Sequence, residues 1–488
     1  MSGETAHLPV LSVASELYPL IKTGGLADVA GALPAAMAGH GVEMVSLVPG
    51  YPAVLGALAE SRALATLDLL GDPATLIAGH AHGLDLLVLD APHLYDRPGS
   101  PYADGEGRDW PDNARRFAAL ALAAARIAEG VIPQFRPRLI HAHDWQAALA
   151  PAYLHYRGIA VPSLLTVHNL AFQGRFPADQ RHGLELPEAA MTIHGVEYYG
   201  DLGFLKAGLR FASHITTVSP SYAEEIASEA GGMGLGGLLA GRAAAGELTG
   251  ILNGIDTAIW DPAQDPLLPR PFSAHQREGR AAARRALLAD AGFDPADAGP
   301  VFGVVSRLTW QKGLDLLLEL LPDLLARGGR LVLLGSGEPG LEQGFRAAAE
   351  ARPDRVSVRI GYDEARAHLL QAGADVLLVP SRFEPCGLTQ MCALRYGAVP
   401  LVARTGGLAD TVIDANPAAL AAEVATGLQF APVERPAFAA ALARAFALFA
   451  DRPAWDRIQA NAMRADVSWT RSAAAYAALY RRLAGTPG

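Results

Sequence analysis

The sequence predicts an α/β protein of two Rossmann-like, doubly wound domains facing a central cleft, and three observations carry that reading. Short β-branched and leucine-rich runs alternate with alanine-rich stretches of helical spacing, the signature of parallel βαβ units. The chain has 488 residues, more than one hydrophobic core usually serves. The hexapeptide Thr-Gly-Gly-Leu-Ala-Asp occurs twice, at Thr23–Asp28 and Thr405–Asp410, each behind a basic residue, Lys22 or Arg404. A Gly-Gly turn that opens a helix leaves N–H groups directed at one spot, and the helix dipole adds positive potential there. Two such turns in opposite halves predict two lobes that face one phosphorylated ligand.

In chain order, strands are expected at Leu8–Ala14, Val42–Val48, Leu84–Asp90, Leu139–Ala142, Ser163–Val167 and Ile215–Val218 in the first half. A second series follows at Val301–Val305, Leu331–Leu334, Val356–Ile360, Val376–Val379 and Val399–Val402. Helical spacing fills the gaps, as at Asn113–Glu129, Trp145–Tyr156, Leu314–Ala326 and Leu341–Ala351. The Gly-rich tract Gly231–Gly246 has no strand signal and reads as a loop or a loosely packed helix. Beyond Asn253-Gly254-Ile255-Asp256, Pro262, Pro266, Pro269 and Pro271 crowd a stretch without periodicity. The expected division is a first domain over 1–252, a linker over 253–262, a second domain over 263–460, and a C-terminal helix over 461–488 that crosses back to the first domain.

Composition narrows the function. Hydrophobic residues make up 51% and charged residues 18%, enough for two large cores without metal or disulfide support. The net charge of −10 argues against a nucleic-acid or anionic-membrane partner, so any phosphate must be held by local groups. Cys386 and Cys392 are the only cysteines, too few for a disulfide framework, which implies a reducing cytoplasm. The N-terminus has no basic segment before its short apolar run, and no stretch is long enough to span a bilayer, so neither export nor membrane insertion is expected.

Four motifs carry chemistry. Val304–Gly313 ends a strand and opens a helix, which puts Arg307 and Lys312 at the carboxyl end of the strand, where open α/β sheets bind ligands. A guanidinium fork and an ammonium suit a diphosphate; taken alone, they also fit a solvated basic pair. Ser381–Thr389 repeats the arrangement with Glu384 before a Pro-Cys-Gly-Leu turn, whose helix offers N–H groups to hydroxyl or phosphate oxygens. A surface Glu before a turn is the alternative. The eighth residue after Glu384 is Cys392 rather than a second carboxylate, so a paired-carboxylate hydrolase is poorly supported.

His141-Ala142-His143-Asp144 and His168-Asn169 end two strands of the first half. Alternation puts His141 and His143 on one strand face and Asp144 on the other, so hydroxyl recognition is preferred to a metal site. The fourth motif, Gly335-Ser-Gly337-Glu-Pro-Gly340, satisfies G-x-G-x-x-G between a strand and a helix. Asp354 precedes the next strand instead of ending it, so the pattern does not specify NAD, although the loop could accept part of any nucleotide.

Together, Lys22-Thr-Gly-Gly-Leu, His141–Trp145, Asn253-Gly-Ile-Asp, Arg307–Gly313 and Phe383–Thr389 resemble the bacterial glycogen and starch synthase family, from Val10 to about Trp469. Tyr95–Gly99 and Phe204–Gly208 fit the same resemblance. It implies a GT-B type, metal-independent glycosyltransferase with no cofactor beyond its donor. Such an enzyme moves glucose from ADP-glucose to the non-reducing end of an α-1,4-glucan with retention of configuration. By the same resemblance, Lys22 with the Gly24-Gly25 turn meets the donor from the first lobe as the cleft closes. Arg307 and Lys312 neutralise the departing diphosphate, Glu384 holds glucosyl hydroxyls, His168 sits near the C6 hydroxyl, and Asp144 lies beside the reacting sugar.

Further substrate contacts are expected from Asp28, Tyr95, Asn169, Asn253, Gln311, Gly335 and Gly337. Tyr362 is expected to stack on adenine, and Cys386, Gly387, Leu388 and Thr389, with Thr405, Gly406 and Gly407, to bind donor or sugar oxygens. Trp310 is bulkier than the motif leads one to expect. Two other readings remain: a transferase with another acceptor, such as glucose 1-phosphate, which would use the same second-lobe residues and differ in the first-lobe cleft, and a catalytically silent glucan-binding protein, disfavoured because Lys22, Arg307, Lys312 and Glu384 are all intact.

Overall fold

The computed structural model describes residues 7–485. The chain forms two compact units, one running to Asn253 and resuming at Trp469, the other Gly254–Ser468. In the first, a nine-stranded sheet has the order Leu248–Gly250, His214–Thr217, Ser163–Val167, Leu139–His143, Leu8–Val13, Val42–Pro49, Leu84–Asp90, Asp72–Ala81, Ala59–Leu69. All neighbours pair in parallel except the last three strands, which form an antiparallel edge. The parallel strands are the expected ones within a residue or two, except the short edge strand Leu248–Gly250, which was not expected.

The antiparallel edge was not legible. Its sequences, AESRALATLDL and DPATLIAGHA, are rich in Ala and polar residues and carry little β propensity. Leu67, Leu69 and Leu76 nevertheless bury one face, so tertiary packing overrides the local preference.

The second unit holds six parallel strands in the order Val356–Ile360, Arg330–Gly335, Val301–Val305, Val376–Val379, Val399–Ala403, Leu428–Phe430. In chain order this is 3-2-1-4-5-6, the doubly wound dinucleotide-fold arrangement. The order reverses between Val301–Val305 and Val376–Val379. In the first unit the reversal falls between Leu8–Val13 and Leu139–His143. Crevices at such switch points are where these sheets bind ligands.

Local sequence explains the main helices. Leu314–Ala326 buries Leu314, Leu317, Leu320, Leu321 and Leu324 at the helical period against the second sheet. Asn113–Glu129 is alanine-rich, buried along most of its length, and ends at Gly130 in the left-handed conformation. No helix among the described residues is long and apolar enough to cross a membrane.

Three expected boundaries are corrected. The 253–262 stretch is not a free linker: the Trp260 ring stacks on His368 at 4.0 Å, and Asp261 pairs with Arg395 at 2.8 Å, both within the second unit. The return to the first unit comes at Trp469 rather than 461, because Arg452–Arg464 buries Trp455 and Ile458 in the second core. Only Thr470–Ala484 lies on the first sheet, inserting Tyr476 and Tyr480. The expected helix Trp145–Tyr156 is two, Asp144–Ala147 and Leu149–Tyr156. The Gly-rich tract contains the helix Gly236–Ala244.

Candidate functional site

In the second unit, the loops that leave the two strands at the switch point meet. After Val301–Val305 the chain passes Arg307 and a 3₁₀ turn, Trp310–Lys312, to Gly313. Gly313 has φ +67°, and a Cβ there would stand 2.0 Å from the Pro380 carbonyl oxygen. Only glycine lets this loop close against the next one. Lys312 Nζ then donates to Glu384 Oε2 at 2.5 Å, and Ser381 Oγ donates to the same oxygen at 2.9 Å. Gln311 donates to the Phe383 carbonyl. Arg307 is exposed and pairs with no carboxylate among the described residues. An uncommitted guanidinium therefore stands close in the chain to a preformed ammonium–carboxylate pair.

Arg382 accounts for Trp310. Its guanidinium makes a two-pronged pair with Asp315, at 2.7 and 2.6 Å, donates to the Trp310 carbonyl, and lies 4.4 Å from the indole centroid. The bulky ring is the platform of a cation–π contact that braces the Lys312 loop.

The two hexapeptide copies behave differently. Gly24 caps the 14-residue helix Gly25–Ala38, and a Cβ at either Gly24 or Gly25 would meet nothing within 4 Å. Those amides border open space at the end of a full helix dipole. The second copy begins a helix of only six residues. There a Cβ at Gly406 would fall 2.1 Å from the Glu384 carbonyl oxygen, and one at Gly407 would fall 2.3 Å from that of Cys386. The Gly407 N–H is shared between the Glu384 and Pro385 carbonyls. Packing against the Glu384 loop is thus sufficient reason for Gly406 and Gly407.

Gly335 and Gly337 have a similar cause. Cβ atoms there would stand 1.8 Å and 2.2 Å from the carbonyl oxygens of Ser306 and Leu308. The Gly337 N–H, which a phosphate would need, donates to Glu342. The turn Cys386-Gly387-Leu388 is held by buried Gln390, whose amide donates to the Cys386 and Gly387 carbonyls and to Thr411 Oγ1, while Thr389 begins the next helix. Tyr362 is 76% exposed just beyond its strand.

In the first unit the loops at the switch point bring Glu16, Lys22 and Asp144 to the same end of the sheet. Buried Glu16 accepts from the Thr23 N–H and hydroxyl and from Tyr102, which fixes the loop before Gly24. Lys22 pairs with Asp28 at 2.6 Å on the surface. Asp144 adopts φ +56°, and its carboxylate accepts from the His168 and Asn169 N–H groups at 2.7 and 3.4 Å. Burial pushes its pKa up to about 7, against those hydrogen bonds.

The histidines form one buried network. His143 Nδ1 meets His168 Nε2 at 3.0 Å and its Nε2 meets Ser12 Oγ at 3.2 Å; His141 bonds Tyr480 and Thr166. Burial lowers all three pKa values, that of His143 to about 3. The rings are neutral hydrogen-bonding groups at neutral pH, and both nitrogens of His141 and His143 already have protein partners. Among the described residues no group of three His, Cys, Asp or Glu side chains is placed to hold a metal ion. Asn169 caps its own turn by accepting from the Ala171 N–H. Asn253, where the chain leaves the first unit for the second, keeps a buried side-chain oxygen without a hydrogen-bond partner in the structure.

One expected contact is corrected. Tyr95 is fully buried; its hydroxyl donates to the Arg116 carbonyl at 2.6 Å and its ring packs edge-on against Tyr51. It is a core residue with no surface to offer a substrate. Sequence reasoning in turn missed Glu16, Ser381 and Gln390. An acid soon after an apolar strand hints at Glu16, and Ser381 opens the motif that holds Glu384, but nothing local marks Gln390.

The chain resembles known proteins along almost its whole length. A family model described as starch synthase catalytic domain matches residues 9–241, and one described as glycosyl transferases group 1 matches residues 291–459. A glycogen synthase of Rhodopseudomonas palustris strain BisB18 is 59% identical over 477 residues, covering 97% of each chain. One of Methylocella silvestris is 56% identical over 481 residues, covering 98% of this chain and 99% of its own. Among solved structures, the catalytic domain of starch synthase IV from Arabidopsis thaliana, bound to ADP and acarbose, matches with TM-score 0.88 and 31% identity over 98% of this chain and 100% of that one. A sucrose-phosphate synthase from Thermosynechococcus elongatus shares the GT-B fold at TM-score 0.60 and 17% identity, covering 98% of this chain and 99% of that one.

Proposed function

The chain belongs to the glycogen and starch synthase family of glycosyltransferases, and from that membership we propose that it transfers glucose from ADP-glucose to the non-reducing end of an α-1,4-glucan with retention of configuration. The observation that carries the reading is the Lys312–Glu384 pair at the switch point of the second sheet, with Arg307 uncommitted nearby. Arg307 takes the diphosphate as a fork and Lys312 as a point charge, so the negative charge that develops on the leaving group meets fixed cations. Glu384 holds Lys312 in place and accepts from glucosyl hydroxyls. Ser381 and Gln390 keep the carboxylate and its turn aligned.

In the first unit, Lys22 and the open Gly24-Gly25 amides suit anionic or hydroxyl oxygens, while neutral His168 and Asp144 suit sugar hydroxyls. Adenine stacks on Tyr362. With no second carboxylate on the Glu384 helix, retention proceeds by front-face attack, the leaving phosphate oxygen taking the acceptor's proton. Two protein cations already serve the diphosphate, so a divalent cation has no task, and turnover is expected to persist in excess EDTA.

Release of nucleoside diphosphate from ADP-glucose and from UDP-glucose, with glycogen and with glucose 1-phosphate as acceptors, tests the proposal. The expected result is glycogen elongation with a higher kcat/KM for ADP-glucose. Transfer only to glucose 1-phosphate, or glucan binding without turnover, would overturn it.

A further inference from the structure

The short hairpin of Glu197–Tyr198 and Asp201–Gly203 turns through Tyr199 and Gly200, whose φ angles are +50° and +84°. A two-residue turn with both φ positive favours Asn or Asp before Gly, and a bulky side chain at its first position is strained. Two other turns of this kind, Leu70-Gly71 and His82-Gly83, show how the strain is normally met. Leu70 is buried, which offsets it. Histidine is among the residues that tolerate this backbone. Tyr199 has neither compensation: it is 70% exposed.

Met233, in the Gly-rich tract, is a second strained and exposed apolar residue, with φ +47° and 41% exposure. The two are neighbours. Tyr198 OH and Gln173 Nε2 both donate to the Met233 carbonyl at 3.0 Å, and the Tyr199 ring lies 3.4 Å from where a Cβ on Gly234 would stand. Phe172, 52% exposed, precedes Gln173, and its N–H donates to the Asn169 carbonyl, which ties it to the strand end that bears His168. On this ribbon Arg175 and Asp201 neutralise each other at 2.6 Å, and the Glu197 carboxylate is held by the Gly200 N–H. Beside these polar groups, Phe172, Tyr199 and Met233 leave aromatic and apolar side chains exposed, with the Gln173 amide next to them.

We infer that Phe172, Tyr199 and Met233 form a subsite for the neutral α-1,4-glucan acceptor chain. The inference rests on the transferase reading above and extends it to residues that reading does not use. A pyranose ring presents a face of C–H bonds that suits the electron-rich face of an aromatic ring, while its hydroxyls reach flanking amides. Strained backbone that displays apolar side chains to solvent signals a surface kept for binding, since folding gains nothing from it.

Tyr199→Asn tests this without harming the fold, because asparagine is the residue the turn favours. The melting temperature should hold or rise. Maltoheptaose affinity, measured by calorimetry without donor, should weaken about tenfold, the loss expected of one aromatic anchor. The KM for maltoheptaose should rise in parallel while that for ADP-glucose stays unchanged, and Phe172→Ala should act in the same direction. Unchanged acceptor affinity in both variants, or no maltoheptaose binding by the unaltered chain, would overturn the inference. So would a change in oligomeric state with glucan affinity intact, which would assign the patch to a second copy. Binding that Tyr199→Asn weakens, in a chain without transferase activity, would uphold the subsite and defeat the reading of function.

Discussion

The Lys312 ammonium lies 2.5 Å from the Glu384 carboxylate, although 72 residues separate them in the chain. Both side chains are mostly buried, 17% and 10% exposed, so each compensates a charge that the other would otherwise leave stranded. The cation proposed to meet the leaving group is therefore also part of the fold.

Lys312→Ala is expected to lower kcat by about 10²–10³ through loss of charge at the leaving group. It should also destabilise the second unit by on the order of 3 kcal/mol, because a buried carboxylate loses its partner. Lys312→Ala with Glu384→Ala should regain most of the melting temperature and none of the turnover. A single variant that loses activity at unchanged melting temperature would show that the pair contributes nothing to stability.

Arg307 is exposed and holds no carboxylate among the described residues, so its role should separate cleanly from folding. Arg307→Ala is expected to reduce kcat by about 10²–10³ with stability within about 0.5 kcal/mol of the parent. Steady-state kinetics and thermal melting check both halves; near-normal kcat would remove Arg307 from the site.

The two hexapeptides should respond oppositely to the same substitution. Gly407→Ala drives a methyl group into the Cys386 carbonyl and should cost about 1–3 kcal/mol or more by overpacking. Gly24→Ala meets open space and should leave the melting temperature unchanged, so that any loss of turnover reports on the site alone. Equal thermal shifts would contradict the packing difference.

The Asp144 carboxyl, raised to about 7 from an ordinary 3.8 by burial, makes stability depend on pH. The native state holds this proton between about pH 4 and 7 while the unfolded chain has released it, so stability falls as pH rises through that window. Asp144→Asn removes the ionisation. Its melting temperature relative to the parent should climb from pH 5 to pH 8, at about 1.4 kcal/mol per pKa unit within the window. A difference independent of pH would place the carboxyl in its ordinary range.

Legibility followed the range of the interactions. Strand ends, the glycine that lets the Lys312 loop close, and the basic and acidic residues beside the switch points are written within a few residues of one another, and the parallel sheets appeared near the positions their periodicity requires. The antiparallel edge strands were hidden because their alanine-rich sequences have little preference for a strand until Leu67, Leu69 and Leu76 find a core to enter.

The sequence by itself determined two doubly wound units, the motifs at their strand ends and the family they resemble, because periodicity and turn chemistry act locally. Which of two identical hexapeptides opens onto space, whether Tyr95 is surface or core, and which atoms hold Glu384 were decided only in the folded chain. Sheet register brings together residues as distant as Lys312 and Glu384, and a glycine's meaning depends on the backbone laid against it. Gly24 and Gly407 sit in the same six letters, yet only the second has a carbonyl where its side chain would be.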